Sequence, residues 1–160
     1  MERAERGGLL STAPVAADRR AFWEKAVTWV LAVLILSDLV LSGLVLISGQ
    51  AWFDLVHGTD HVDPGGYLKR TGAVWASQLL VQVVAFVRWR AGALHWLLVL
   101  AGLRWADVLS DWVNWAAMDD RTWLAHALLL ATPLNLLLGL FFYRAYFALR
   151  DGRRPTATAS

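Results

Sequence analysis

The chain has 160 residues, of which 58% are hydrophobic and only 18% charged, with a formal net charge of +2 and a mean hydropathy of +0.45. This composition excludes an ordinary small soluble domain and indicates an integral membrane protein. Because the sequence contains no cysteine, it also excludes disulfides, thiolate metal sites, Cys-ligated iron–sulfur clusters and covalently attached c-type haem.

Four apolar stretches determine the predicted fold class. A hydrocarbon core of about 30 Å requires about 17 to 25 helical residues to cross it. The stretches that reach this length are residues 26–47, 71–87, 91–113 and 123–143. The short connections after the second and third stretches make neighbouring helices antiparallel. We therefore predict an all-α integral membrane protein with four transmembrane helices in an up-down-up-down bundle, in a domain of residues 26–147.

The two ends of the chain flank this domain. Residues 1–25 are predicted to be a cytoplasmic leader, part of which either lies on the membrane face as a short amphipathic helix or is fully solvated. They do not read as a cleavable signal peptide, because mixed charges precede an apolar stretch that is too long for one. Residues 148–160 lose the apolar pattern, so we predict a disordered cytoplasmic tail.

The basic residues predict the orientation of the helices. Eleven lie on the side that holds both termini: Arg3, Arg6, Arg19, Arg20, Lys25, Arg88, Arg90, Arg144, Arg150, Arg153 and Arg154. The other side holds Lys69, Arg70 and Arg121. Since cytoplasmic flanks retain Lys and Arg, we predict that both termini are cytoplasmic and that the protein resides in a bacterial inner membrane. The basic balance then reflects topology, and no nucleic-acid partner is predicted.

Charged residues interrupt the third apolar stretch, in the segment GLRWADVLSDW of residues 102–112. At helical spacing Arg104, Asp107 and Asp111 share one face. Arg104 is expected near the middle of the membrane, with Asp107 and Asp111 successively closer to the outer boundary. A charged side chain that faces lipid at the membrane centre costs on the order of 3 kcal/mol, so these groups are expected to turn inward and pair.

The other three stretches carry polar residues at comparable depth. We predict that they converge on Arg104, whose guanidinium has five donors and can satisfy two carboxylates and an amide together. The predicted polar core or ligand site comprises Asp38, Gln78, Gln82, Arg104, Asp107, Asp111 and Asn135. Trp75 and Trp105, which lie deeper than the other tryptophans, are predicted to line it.

Carboxylates outnumber cations in this predicted core. Asp38 and Asp107 face a single Arg104, and Asp111 follows one turn away. Either one acid is protonated, or a cation, water or ligand completes the site. The alternative is that the network only holds the helices together and sets their register.

The histidines give only weak indications of a metal or haem site. His57 and His61 have the i, i+4 spacing of metal ligands on a helix, but the residues between them favour a turn, so no metal is predicted. His95 and His126 fall near opposite membrane boundaries, which excludes them as the axial pair of a haem. No phosphate-binding loop, nucleophile elbow or HExxH motif is present, which favours a non-enzymatic role without catalytic residues.

Two functional hypotheses remain. The first is an accessory or scaffolding subunit of a larger membrane assembly, whose partners are membrane lipids, other membrane subunits or further copies of itself. The alternative is a protein that binds a lipid-like ligand such as a quinone or isoprenoid, or a small proton-coupled carrier that uses the Asp/Arg cluster. No cofactor is predicted, and a bound lipid, quinone or pigment is compatible with either hypothesis.

Overall fold

A computed structural model describes residues 13–51, 67–117 and 122–151. These ranges form four long helices and contain no strand: α1 (Ala13–Ile47), α2 (Tyr67–Arg90), α3 (Trp96–Ala117) and α4 (Thr122–Asp151). This confirms the all-helical part of the predicted fold. His57 and His61 lie outside the described residues, as does the side chain of His126.

Three of the helices are long and apolar enough to cross a membrane, over Ala17–Ile47, Leu68–Arg90 and Leu129–Asp151. Helix α3 has 22 residues but carries Arg104, Asp107 and Asp111. Three of the four predicted spans are therefore shown to be compatible with a membrane. The predicted span of residues 91–113, which corresponds to α3, stays a prediction.

Helix α1 begins before the predicted first span. The amphipathic segment before residue 26 is continuous with it, because α1 runs unbroken from Ala13. Arg20 and Glu24 form an ion pair at 2.9 Å one turn apart, and the ring of Trp23 lies 5.6 Å from that of Phe141 on α4. Charge pairing along the helix and packing against α4 thus extend α1 beyond its apolar run.

Helix α4 continues past the predicted span, which ends at residue 143, as far as Asp151. The predicted disorder is therefore wrong for residues 148–151, and the remaining tail lies outside the described residues. Leu149 is 2% exposed, which shows that this last turn packs against the bundle. The guanidinium carbon of Arg150 lies 4.7 Å from the ring centre of Phe147, so its charge is accommodated on an aromatic face.

A tight turn joins α2 to α3. The amide of Ala93 donates to the carbonyl of Arg88, and that of Gly92 donates to the carbonyl of Trp89, both at 3.0 Å. These two bonds form a Schellman motif that ends α2. Gly92 has a φ of 104°, a conformation that glycine adopts without steric penalty. The turn sets α2 and α3 side by side.

Most of the buried apolar side chains lie toward one end of the molecule. This apolar core draws on all four helices and on the α2–α3 turn: Val27, Leu31, Leu34, Ala85, Trp89, Leu94, Leu97, Leu100, Ala101, Phe142, Ala145 and Leu149. The same end carries the basic residues at the start of α1, at the end of α2 and in the last turns of α4, and we call it the basic end. Toward the opposite end, a smaller cluster joins only α1 and α2, around Val45 and Trp75.

Candidate polar site in the bundle core

Arg104 is the centre of a charged network between α1 and α3. Arg104 is only 5% exposed, and its Nη2 lies 2.9 Å from Oδ2 of Asp38 on α1. Its Nη1 lies 3.5 Å from Oδ2 of Asp107, which is three residues further along α3 and therefore on the same face. One guanidinium thus bridges two carboxylates, as charge pairing in an apolar region requires.

Two amides of α2 complete the coordination of the carboxylates. Nε2 of Gln82 donates to Oδ2 of Asp38, and Nε2 of Gln78 donates to Oδ1 of Asp107 at 2.6 Å. Gln78 and Gln82 are one helical turn apart, so one face of α2 presents both donors. Each carboxylate therefore receives hydrogen bonds from Arg104 and from one glutamine. The amides contact the acids, whereas the sequence predicted that an amide would contact Arg104.

The structure brings together Asp38, Gln78, Gln82, Arg104 and Asp107, which we call the polar layer. Two of its buried atoms, Nε of Arg104 and Oε1 of Gln82, have no hydrogen-bond partner within the described part of the chain. One is a donor and the other an acceptor.

Asp111 extends the polar layer away from the basic end. Its Oδ2 lies 3.4 Å from the hydroxyl of Thr132, which donates to it from α4. Thr132 is buried, and Asp111 is half-buried. The sequence places Thr132 on a polar face of α4 but does not single it out, because threonine also occurs in apolar helices, where its hydroxyl bonds the helix's own backbone.

Among the charged side chains of the network, exposure rises in the direction away from the basic end, whereas Ser42 and Thr132 on that side are buried. The side chains of Arg104, Asp38 and Asp107 are 6%, 15% and 19% exposed. On the basic side of the polar layer lie Leu34, one turn from Asp38, and Leu100 and Ala101, one turn from Arg104. The network is thus closed by apolar packing on its basic side, and its carboxylates are more exposed than its guanidinium.

The remaining predicted residues have other surroundings. Asn135 is half-buried and hydrogen-bonds none of the described residues, so it does not join the polar layer. Trp75 packs against Val45 between α1 and α2. The Trp105 indole lies over Gly139 of α4, where an added Cβ would stand 2.2 Å from its Nε1, and its ring is 6.0 Å from that of Tyr143. The deep tryptophans therefore pack within this chain.

Ser42 makes a contact with Asp38 that the sequence did not predict. It is buried, and its hydroxyl donates to the backbone carbonyl of Asp38 at 2.5 Å. Its position four residues after Asp38 on the same helix could have predicted this bond, because a serine hydroxyl in a helix can bond the carbonyl one turn earlier. No group of three or more His, Asp or Glu side chains suited to a metal ion occurs among the described residues.

No protein-family model, curated protein sequence or solved structure matches this chain.

Proposed function

We propose that this chain is a small membrane protein of the proton-coupled carrier type, in which the polar layer holds a positively charged occupant. The occupant is a proton or a small cation. The observation that carries the proposal is that a single buried guanidinium faces Asp38 and Asp107, with Asp111 one turn beyond. Three carboxylates face this one cation, and an added positive charge would reduce the excess.

The proposal places all four helices across the membrane in an up-down-up-down bundle, with the basic end in the cytoplasm. Large apolar side chains on the outside support it: Leu36, Leu80, Leu109 and Leu137 are each more than 60% exposed. Exposed apolar surface of this extent suits lipid and would be a liability in water. Helix α3 can also cross the membrane, because groups from α1 and α2 cover its Arg104 and Asp107.

The exposure gradient supports a direction of access. Asp111 and Asp107 would meet the aqueous side opposite the basic end, and Asp38 and Arg104 would form the closed end of the path. Apolar packing around Leu34 and Leu100 would block passage toward the basic end in this conformation. An occupant would therefore enter from the non-cytoplasmic side.

The charge balance also bears on the alternative ligands. An anionic isoprenoid phosphate would meet an excess of carboxylates, which is unfavourable at short range in a medium of low dielectric constant. A quinone head is neutral, and such a ligand would be recognised by mass spectrometry of the purified protein. A mass that corresponds to a quinone, lost from the Arg104→Gln variant, would replace the cation in this proposal.

Infrared difference spectroscopy on the protein in lipid nanodiscs tests the proposal. A pH step should produce a signal from a buried carboxyl group, which Asp38→Asn or Asp107→Asn should remove while the helical circular dichroism is unchanged. Asp18→Asn, at an exposed position of α1, is the matched control and should retain the signal. Replacing sodium by a large organic cation distinguishes the occupants, because only a bound metal ion would respond to that exchange.

A flux measurement follows from the same assignment. In proteoliposomes with a trapped pH indicator, an imposed membrane potential should drive proton movement through the wild-type protein and through Asp18→Asn. Asp38→Asn should reduce this movement to the level of protein-free vesicles. A folded Asp38→Asn variant with the wild-type infrared signal and the wild-type flux would refute the proposal and leave the polar layer as a helix lock.

An accessory role in a larger assembly is the second candidate, and one surface favours it. The half of α3 beyond the polar layer exposes Leu109, Trp112 and Val113, each at 50% or more. Helices of a partner subunit could cover this face in place of lipid. Native mass spectrometry of protein purified from its own membrane tests it: another polypeptide at fixed stoichiometry supports the accessory role, whereas a chain that is alone excludes it.

A further inference from the structure

A second site, separate from the polar layer, lies at the basic end. A cavity of about 430 Å³ opens there between the first turns of α1, the end of α2, the α2–α3 turn and the last turn of α4. Its cationic lining residues are Arg20, Lys25 and Arg90, and Glu24 is its one carboxylate. The four side chains together carry a positive charge, so the cavity favours an anion.

Two of the cations are available to that anion. Arg20 is occupied by its ion pair with Glu24, at 2.9 Å between Nε and Oε1. The guanidinium carbon of Arg90 lies 5.1 Å from the ring centre of Phe86, a contact that leaves its N–H donors unused. Lys25 is exposed at the rim of the cavity. Arg90 and Lys25 therefore supply the charge that is not already neutralised.

A buried donor belongs to Trp89, one of the residues that line the cavity. Trp89 is 5% exposed, and its Nε1 has no hydrogen-bond partner among the residues that the structure describes. An indole N–H can only donate, so it requires an acceptor atom. An unpartnered donor in an apolar surrounding is costly, and a rotation of the ring toward the cavity would let an anionic oxygen accept from it.

The other walls are apolar. Leu94 and Leu149 are buried against the cavity, and the indole of Trp29 is 73% exposed beside it. Tryptophan favours the boundary between headgroups and acyl chains, which places the cavity at headgroup depth if the bundle crosses a membrane. An occupant with an anionic head and an apolar tail matches both kinds of wall.

We propose that this cavity binds the phosphate group of an anionic phospholipid from the leaflet on the basic side. The phosphate would take hydrogen bonds from Arg90, Lys25 and the indole of Trp89, and the acyl chains would pass along Leu94, Leu149 and Trp29. Basic pockets between membrane helices have the chemistry to bind such headgroups. This site does not depend on the occupant of the polar layer.

Binding can be measured by native mass spectrometry of the full chain in detergent, titrated with a short-chain phosphatidylglycerol. A short-chain phosphatidylcholine and inorganic phosphate are the two comparison ligands. We expect the wild-type protein to bind phosphatidylglycerol with higher affinity than either. Equal affinity for phosphatidylcholine would overturn the proposal, and tight binding of inorganic phosphate would show a phosphate site that does not select lipid.

Variants locate the site. Each basic residue near a membrane surface contributes about fivefold to the affinity for anionic lipid, so Arg90→Gln and Lys25→Gln should each weaken phosphatidylglycerol binding by about that factor. Arg144→Gln is the matched control, because Arg144 is an exposed cation of α4 at the same end that does not line the cavity. An equal loss of affinity in Arg144→Gln would mean that general surface charge attracts the lipid, and it would overturn the proposed site.

Trp89→Phe tests the hydrogen bond separately from the charge. It removes the indole N–H and preserves an aromatic side chain in the apolar core. We expect weaker phosphatidylglycerol binding with helical circular dichroism unchanged, and unaltered affinity would remove Trp89 from the site. The infrared signal of the polar layer should persist in all these variants, which separates a failure here from a failure of the proposed function.

Discussion

The two halves of the molecule, on either side of the polar layer, are built differently. Toward the basic end, all four helices and the α2–α3 turn contribute to one continuous apolar core. Beyond the polar layer, Val45 is the one fully buried large apolar side chain among the described residues, and the cluster around it joins only α1 and α2. In that half, polar contacts of Asp107 and Asp111 link α3 to α2 and to α4.

This difference separates the contribution of apolar packing to stability from that of polar contacts. Between membrane helices, tight van der Waals packing is a main source of association energy, since lipid is as apolar as the core itself. Polar contacts contribute less individually but constrain which faces meet. We therefore infer that the basic half supplies most of the stability and that the other half is free to carry an accessible polar site. Four substitutions sharpen or break this comparison.

Phe142→Ala should have the largest effect. Phe142 is fully buried in the apolar core, so its truncation leaves a cavity that the surrounding helices fill only in part. We expect a loss of about 4 kcal/mol in the free energy of unfolding. Titration with sodium dodecyl sulfate in mixed micelles, followed by circular dichroism, measures it. Leu137→Ala on the same helix, at a side chain 65% exposed, is the control and should change little; equal losses would contradict the packing assignment.

Arg104→Met should rank second. It leaves the carboxylates of Asp38 and Asp107 close together without their cation, and we expect a loss of about 3 kcal/mol by the same titration. Adding Asp38→Asn and Asp107→Asn should recover much of this loss, because no uncompensated charge would remain. If the triple variant is no more stable than the single one, the loss does not arise from charge.

Gly139→Val probes the contact of α3 and α4 beside the polar layer. A Cβ at this position would stand 2.2 Å from Nε1 and 2.5 Å from Cδ1 of Trp105, so the rigid indole must move as a whole. Overpacking of this kind costs about 2 kcal/mol. Trp105→Leu in the same chain should relieve it, and a loss that persists in the double variant would place the strain in the backbone.

The sequence predicted the polar layer because its residues are rare in apolar helices. Arg104, Asp38 and Asp107 stand out at mid-span, and helical spacing puts Gln78 and Gln82 on one face, so their convergence follows from the cost of exposing them to lipid. Asn135 has the same spacing relative to its neighbours but stays outside the network. Periodicity gives the face of a helix, whereas the rotation of that helix against its neighbours depends on packing that one sequence does not reveal.

The helix ends and the site at the basic end were harder to predict for a related reason. Leu149 and Trp89 look like ordinary boundary residues in the sequence, and only the packing of α4 against the α2–α3 turn buries them. The disorder predicted for residues 148–151 relied on the loss of apolar pattern along the chain. Tertiary contacts outweighed that local signal, as they do for most helix termini in packed proteins.

Thr132→Val should have the smallest effect and bears most directly on the half beyond the polar layer. It removes the hydroxyl that bonds Asp111 at 3.4 Å and preserves the branched shape of the side chain, so we expect a loss of about 0.6 kcal/mol in the free energy of unfolding. Thr132→Ser retains the hydroxyl and should restore the contact. A loss several times larger would mean that polar contacts hold α3 to α4 in this half as firmly as packing does at the basic end, and the inference that the basic half supplies most of the stability would fail.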